Sequence, residues 1–118
     1  MRAVIRSFDC SDIDLEDYRP EDPSDDAVWL RMYVGPLGER GEESFDVCVC
    51  TPLWLKREIE TNGAQVIRHT LLMPRLDVDQ AKKVLEAEIS RLDGDTWDEL
   101  ARKVGEIGHW EFQDYRPG

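Results

Sequence analysis

The sequence predicts an α+β fold, a mainly antiparallel sheet of four to five strands with two to three helices packed on one face. Three observations lead there. Ala27–Val34 and Glu43–Cys50 each alternate apolar and polar side chains with a period of two, and a glycine-rich link joins them, as in a hairpin with one buried face. Helix starts are written into Thr51-Pro52, Asp77 and Thr96, each followed by apolar residues at helical spacing. At 118 residues and 41% hydrophobic the chain can build one core but not two, so residues 1–118 are read as a single domain.

In chain order, Ala3–Phe8 mixes Val, Ile and Phe and predicts a short first strand at or near a sheet edge. Asp9–Asp26 then changes character. Its nine acids face one base, Arg19, and Pro20 and Pro23 break any helix, so this is a loop with a net charge of -8. A loop of roughly 16 residues without regular structure is longer than compact domains usually carry, and such loops are commonly functional or disordered. Ile13, Leu15 and Tyr18 give it apolar anchors, so it is expected to lie on the body of the domain.

In Ala27–Val34 the aliphatic set Val28, Leu30, Met32 and Val34 is assigned to the core. Trp29, Arg31 and Tyr33 point the other way and are of the types enriched at binding hot spots. Large side chains of the same types also cover open sheet faces by pairing across strands. The link Gly35 to Gly41 is turn chemistry that returns the chain antiparallel. In the next strand Phe45, Val47 and Val49 face inward, while Ser44, Asp46, Cys48 and Cys50 face outward. The hairpin therefore puts Trp29, Arg31, Tyr33 and Asp46 on one shared outer face.

Thr51 caps a helix whose first residue is Pro52, with Trp54, Leu55 and Ile59 as an apolar stripe folded onto the sheet and Asn62-Gly63 as its end. Ala64–Met73 is rich in Val, Ile, Thr and Leu and predicts a fourth strand ending at Pro74. Asp77 and Gln80 have the spacing of a helix cap and its reciprocal partner, ahead of Val78, Ala81, Val84, Leu85, Ile89 and Leu92. Asp93-Gly94-Asp95 breaks that helix. Thr96 and Glu99 then open a third, with Trp97, Leu100, Ala101 and Val104 on its apolar side and Gly105 and Gly108 beyond it. The tail His109–Tyr115 carries Trp110, Phe112 and Tyr115 and predicts a short last strand or a segment docked on the sheet.

Charge and composition exclude several classes. With 26 acids against 15 bases the net charge is -11, which argues against nucleic acid and anionic membrane and for a basic partner or simple solubility. No apolar run approaches the roughly 20 residues that span a bilayer, and Met1-Arg2-Ala3 leads into a strand instead of a signal core. The expected location is cytoplasmic. Three cysteines, two of them on one strand face, fit reduced thiols and no disulfide framework.

Catalytic constellations are sparse. Cys48 and Cys50 with His69 and His109 could supply zinc ligands or a thiol nucleophile and its base, the alternative of a small hydrolase or metal-dependent enzyme. The Cys-x-Cys spacing is not that of a zinc knuckle, however, and neither His belongs to an H-x₃₋₅-H pair. Asp12, Asp14 and Glu16 alternate as in a calcium loop, but the Gly and Glu that an EF-hand needs further on are missing. The glycines at 35, 38 and 41 lead into no helix and so form no phosphate loop. No catalytic residue, metal site or cofactor is assigned.

Gly41–Leu55 (GEESFDVCVCTPLWL), together with IDLEDYRPEDP from Ile13, VGPLGERGEE from Val34, TWDEL from Thr96 and IGHWEFQDY from Ile107, resembles the immunity protein 8 family. The order is kept over nearly the full length. That resemblance implies a non-catalytic protein of bacterial polymorphic toxin systems that binds and neutralises a cognate toxin domain. Physical reasoning adds that an acidic protein suits a basic target such as a nuclease. The surface expected to meet it comprises Asp12, Asp14, Glu16 and Asp17 of the loop with Trp29, Arg31, Tyr33 and Asp46 of the hairpin, on a monomer.

Overall fold

The computed structural model describes residues 1–111. In order come β1 (Ala3–Asp9), β2 (Ala27–Pro36), β3 (Glu43–Cys50), α1 (Pro52–Asn62), β4 (Thr70–Leu72), α2 (Val78–Ser90), α3 (Trp97–Val104) and β5 (His109–Trp110). The sheet runs β1-β2-β3-β4, and β5 shares the β4 side of β3. All pairings are antiparallel except β3 with β4. The predicted class and the mainly antiparallel sheet are both seen.

The alternation of β2 and β3 decides which side faces the core. Leu30, Met32, Val34, Phe45 and Val49 are fully buried, with Val28 and Val47 nearly so. Against them lie Val78, Ala81, Leu85 and Ile89 of α2, and Leu100, Ala101 and Val104 of α3. Each of these helices starts where a side chain accepts an otherwise unpartnered backbone N–H: Gln80 N donates to Asp77 Oδ1 at 3.1 Å and Glu99 N to Thr96 Oγ1 at 3.1 Å. The reciprocal arm of the second cap falls one residue early, since the Glu99 carboxylate accepts from Asp95 N. Val84, placed on the apolar side by spacing, is 41% exposed.

The third helix lies on the other side. α1 has no buried residue. Its Trp54 meets the outward Trp29 edge to face, with ring centroids 5.6 Å apart. A parallel neighbour for β3 requires a crossover, and α1 is that crossover, leading from the end of β3 to β4.

β4 corrects the sequence reading. A strand over Ala64–Met73 contracts to Thr70–Leu72, and residues 64–68 are exposed, Val66 at 83%. The cause is competition for one edge. Continuing β4 backwards in its parallel register from Thr70 opposite Cys48 would take it past Asp46 and Phe45, but there β5 already pairs, His109 with Asp46 and Trp110 with Phe45. The buried Trp110 stacks on Phe45 at 6.0 Å. The part of the tail reading that concerns Phe112 and Tyr115 lies outside the described residues.

The hairpin link is held from β1. A register shift between Ile5 and Ser7 frees Arg6, whose guanidinium donates to Pro36 O (2.9 Å), Glu39 O (2.6 Å) and Gly41 O (3.3 Å). Gly35 makes this approach possible, because a Cβ there would sit 2.1 Å from Gly41 O. On the far side of the sheet Glu43 accepts from two indoles, Trp97 Nε1 at 2.6 Å and Trp110 Nε1 at 3.3 Å, so one carboxylate joins β3, α3 and β5.

Candidate partner-binding surface

The outer face of the hairpin assembles as its period requires. Arg31 stands opposite Asp46 and Trp29 opposite Cys48. Arg31 grips Asp46 with two bonds, Nε to Oδ1 at 2.8 Å and NH2 to Oδ2 at 3.2 Å, and this pairing, with Tyr33 beside it, keeps the guanidinium charged well above its ordinary range. Both side chains remain open to solvent, at 49% and 39% exposure. An ion pair so exposed contributes roughly 0–1 kcal/mol to stability, so its effect is mainly to fix the two heads in place. Trp29 beside it stays 49% exposed even with Trp54 against it.

The acidic loop divides into a tied half and a free half. In the tied half Asp25 pairs with Arg57 of α1 at 2.7 Å, and Asp26 N donates to Thr51 Oγ1 at 3.1 Å. Tyr18 OH donates to Asp26 Oδ2, and burial together with that bond pushes the phenol up to about 12. Asp22 accepts from the hydroxyl and amide of Ser24, which holds its carboxyl below the usual range. Leu76 N donates to Pro23 O at 2.6 Å, fastening the loop to the lead-in of α2. The expected anchors hold as well: Ile13, Leu15 and Tyr18 pack partly buried against the core.

The free half holds the charge. Asp9, Asp12, Asp14, Glu16, Asp17 and Glu21 are exposed, and among the described residues none has a cation within 4.0 Å. Asp14 merely shapes the turn, accepting from Glu16 N at 3.1 Å. The structure therefore brings Trp29, Arg31, Tyr33 and Asp46 together but gives Asp12, Asp14, Glu16 and Asp17 no bond to them. Glu16 instead lines a groove between the loop and the start of α2, together with Arg19, Arg75, Asp77 and Asp79. Sequence reasoning missed Asp9 and Ser11 at the foot of the hairpin face, Trp54, which α1 brings to that face, and Arg57, which α1 brings to Asp25 at the end of the loop.

The family model described as Immunity protein 8 matches residues 3–115. The chain belongs to the Immunity protein 8 family. No curated protein and no solved structure gives a match. Among the described residues, no helix of this Immunity protein 8 chain is long and apolar enough to cross a membrane.

Of the residues of the enzymatic alternative, Cys48 and His109 lie on the outer side, Cys50 is fully buried and His69 reaches Gly105 at the end of α3, and they make no catalytic pair. Burial and the neighbouring Cys50 push the Cys48 thiol up to about 12, and burial raises Cys50 too. Protonated thiols are poor nucleophiles. His69 and His109 do meet, rings 5.5 Å apart and nearly perpendicular, but His69 Nε2 donates to Gly105 O at 2.8 Å and bonds to neither cysteine. Among the described residues no three His, Cys, Asp or Glu side chains converge to hold a metal ion. Nothing in this arrangement supports the hydrolase or metal-enzyme alternative.

Proposed function

We propose that this Immunity protein 8 chain acts in the cytoplasm as a monomer and neutralises a cognate bacterial toxin domain by binding it, with no chemistry of its own. The reading rests on family membership together with one observation. Six carboxylates, of Asp9 at the end of β1 and of the loop after it, stand exposed with no cation within 4.0 Å among the described residues, beside a hairpin face that carries the Arg31–Asp46 pair and Trp29. Such an array favours a basic protein, of which a nuclease toxin is the natural example, because opposed fields speed encounter while fixed aromatic and charged groups retain the partner. Nucleic acid and anionic membrane are disfavoured by the same charge. No cofactor is called for.

The test is direct. A candidate cognate toxin domain, taken from the neighbouring upstream gene, is mixed with this chain, and complex formation and loss of toxin activity are followed at increasing salt. A complex whose association rate falls as salt rises supports the reading. A toxin that stays fully active in the presence of excess protein refutes it.

A further inference from the structure

We infer that a small cleft at the foot of the acidic loop is a socket for one cationic side chain, a lysine or arginine, of the partner protein. The inference rests on the toxin-binding reading above and goes beyond it by naming what enters and where. The cleft is formed where the end of β1 and the first loop residues meet the outer face of the hairpin, and its walls are Asp9, Cys10, Ser11, Trp29, Arg31 and Asp46.

Size limits the occupant first. The cleft holds about 150 Å³, below the roughly 300–1,000 Å³ of small-molecule and cofactor sites, so it accepts the head of a side chain.

Charge then selects the sign. Asp9 faces Arg31 across the β1–β2 register, yet no Asp9–Arg31 ion pair forms within 4.0 Å. Arg31 is committed to Asp46 through two bonds. Two carboxylates against one guanidinium leave the cleft one negative charge in excess, at the mouth of a loop that adds more. An anion entering would meet Asp9 and Asp46. An apolar group would strip water from Asp9 and return no hydrogen bond. A cation gains the Asp9 carboxylate and the indole wall of Trp29, which is still half exposed.

The test uses the full chain, ¹⁵N-labelled, titrated separately with the amides of N-acetyl-arginine, N-acetyl-lysine and N-acetyl-citrulline. The Trp29 indole N–H and the Ser11 amide report on the cleft. A charged probe is expected to shift both saturably, and the neutral citrulline probe is not. Asp9→Asn, at an exposed position with no side-chain ion pair among the described residues, should weaken the charged probe about three- to fivefold, whereas Glu86→Gln on α2 should leave it unchanged. Equal shifts with citrulline, or an unaltered curve for Asp9→Asn, overturn the socket.

The toxin separates this failure from that of the broader reading. Wild-type and Asp9→Asn proteins releasing the toxin at the same rate would overturn the socket and leave toxin binding intact. A toxin that never binds, alongside a charged probe that saturates and responds to Asp9→Asn, would sink the toxin-binding reading and support the cleft's selectivity for a cation.

Discussion

Replacing Trp110 by Ala tests whether the short last strand is part of the core or an ornament on it. Trp110 is 7% exposed and stacks on Phe45, which is fully buried, with 27° between the rings. Its indole N–H also reaches Glu43. A tryptophan buries roughly 150–250 Å², and large-to-alanine changes in cores cost about 3–5 kcal/mol once the cavity is counted. About 4 kcal/mol is expected here, because Phe45 loses one face of its packing while Glu43 keeps its bond from Trp97. Against a typical total of roughly 5–15 kcal/mol this is about a quarter of the stability or more, and for a domain of this size it lowers Tm by about 15 °C. Trp110→Phe keeps a stacked ring and loses only the N–H, so about 1 kcal/mol should go. Thermal and urea unfolding followed by far-UV circular dichroism measure both. A Trp110→Ala protein melting within about 2 °C of the parent would refute the idea that β5 closes the core.

Three further outcomes are expected. Glu43→Gln weakens the acceptor that joins two indoles and should cost about 1.5–3 kcal/mol in urea unfolding; an unchanged midpoint would mean that α3 and β5 are held by packing alone. The folded Cys48 thiol keeps its proton to about 12, whereas the unfolded one ionises near 9.0, so its contribution to stability is intact below that lower value and falls as pH climbs between the two. Iodoacetamide should therefore label native Cys48 far more slowly than denatured protein at about pH 8, and equal rates would contradict its burial. Neutralising Asp12, Asp14, Glu16 and Asp17 together should slow toxin association and flatten its salt dependence, while Trp29→Ala should mainly raise dissociation, by on the order of 2 kcal/mol; an unaltered association rate at low salt would make the loop only a solvated surface.

What could be read from the sequence was what local periodicity and capping chemistry control. The inward set of β2 and β3, the N-caps at Thr51, Asp77 and Thr96, and the anchored acidic loop all follow from neighbours within a few residues. What could not be read depends on distant pieces meeting. Ala64–Met73 has the composition of a strand, but whether it pairs is settled by β5, some forty residues later, competing for the same edge of β3. The side on which α1 lies is likewise a matter of crossover geometry, and its stripe of Trp54, Leu55 and Ile59 looks the same whichever face it meets. Arg6 and Glu43 read as ordinary surface charges until a register shift and two remote tryptophans give them partners. The outer-face quartet was legible because it lies on two adjacent strands with a tight link. The place of Asp9 within it was not, since that needs the β1 register.

The same two strands hold the fold together on one side and present the candidate interface on the other, and this separation has an energetic consequence. Inward residues such as Leu30 and Phe45 are fully buried, where truncation costs several kcal/mol. The outward charged residues contribute little to stability, because the Arg31–Asp46 pair is exposed, and α1 has no fully buried residue. Substitutions at Arg31, Asp46 or Asp9 are therefore expected to leave the folded fraction nearly unchanged, so that any effect on toxin binding reads on the candidate interface and not on folding. The arrangement tolerates this only because register is fixed elsewhere. A one-residue slip of β3 would turn Phe45 to solvent and Asp46 to the core. Arg6 on the link carbonyls, Glu43 beneath two indoles and Thr51 bonded to Asp26 stand at the two ends of the hairpin and oppose that slip. The candidate surface is thus positioned by residues that lie outside it.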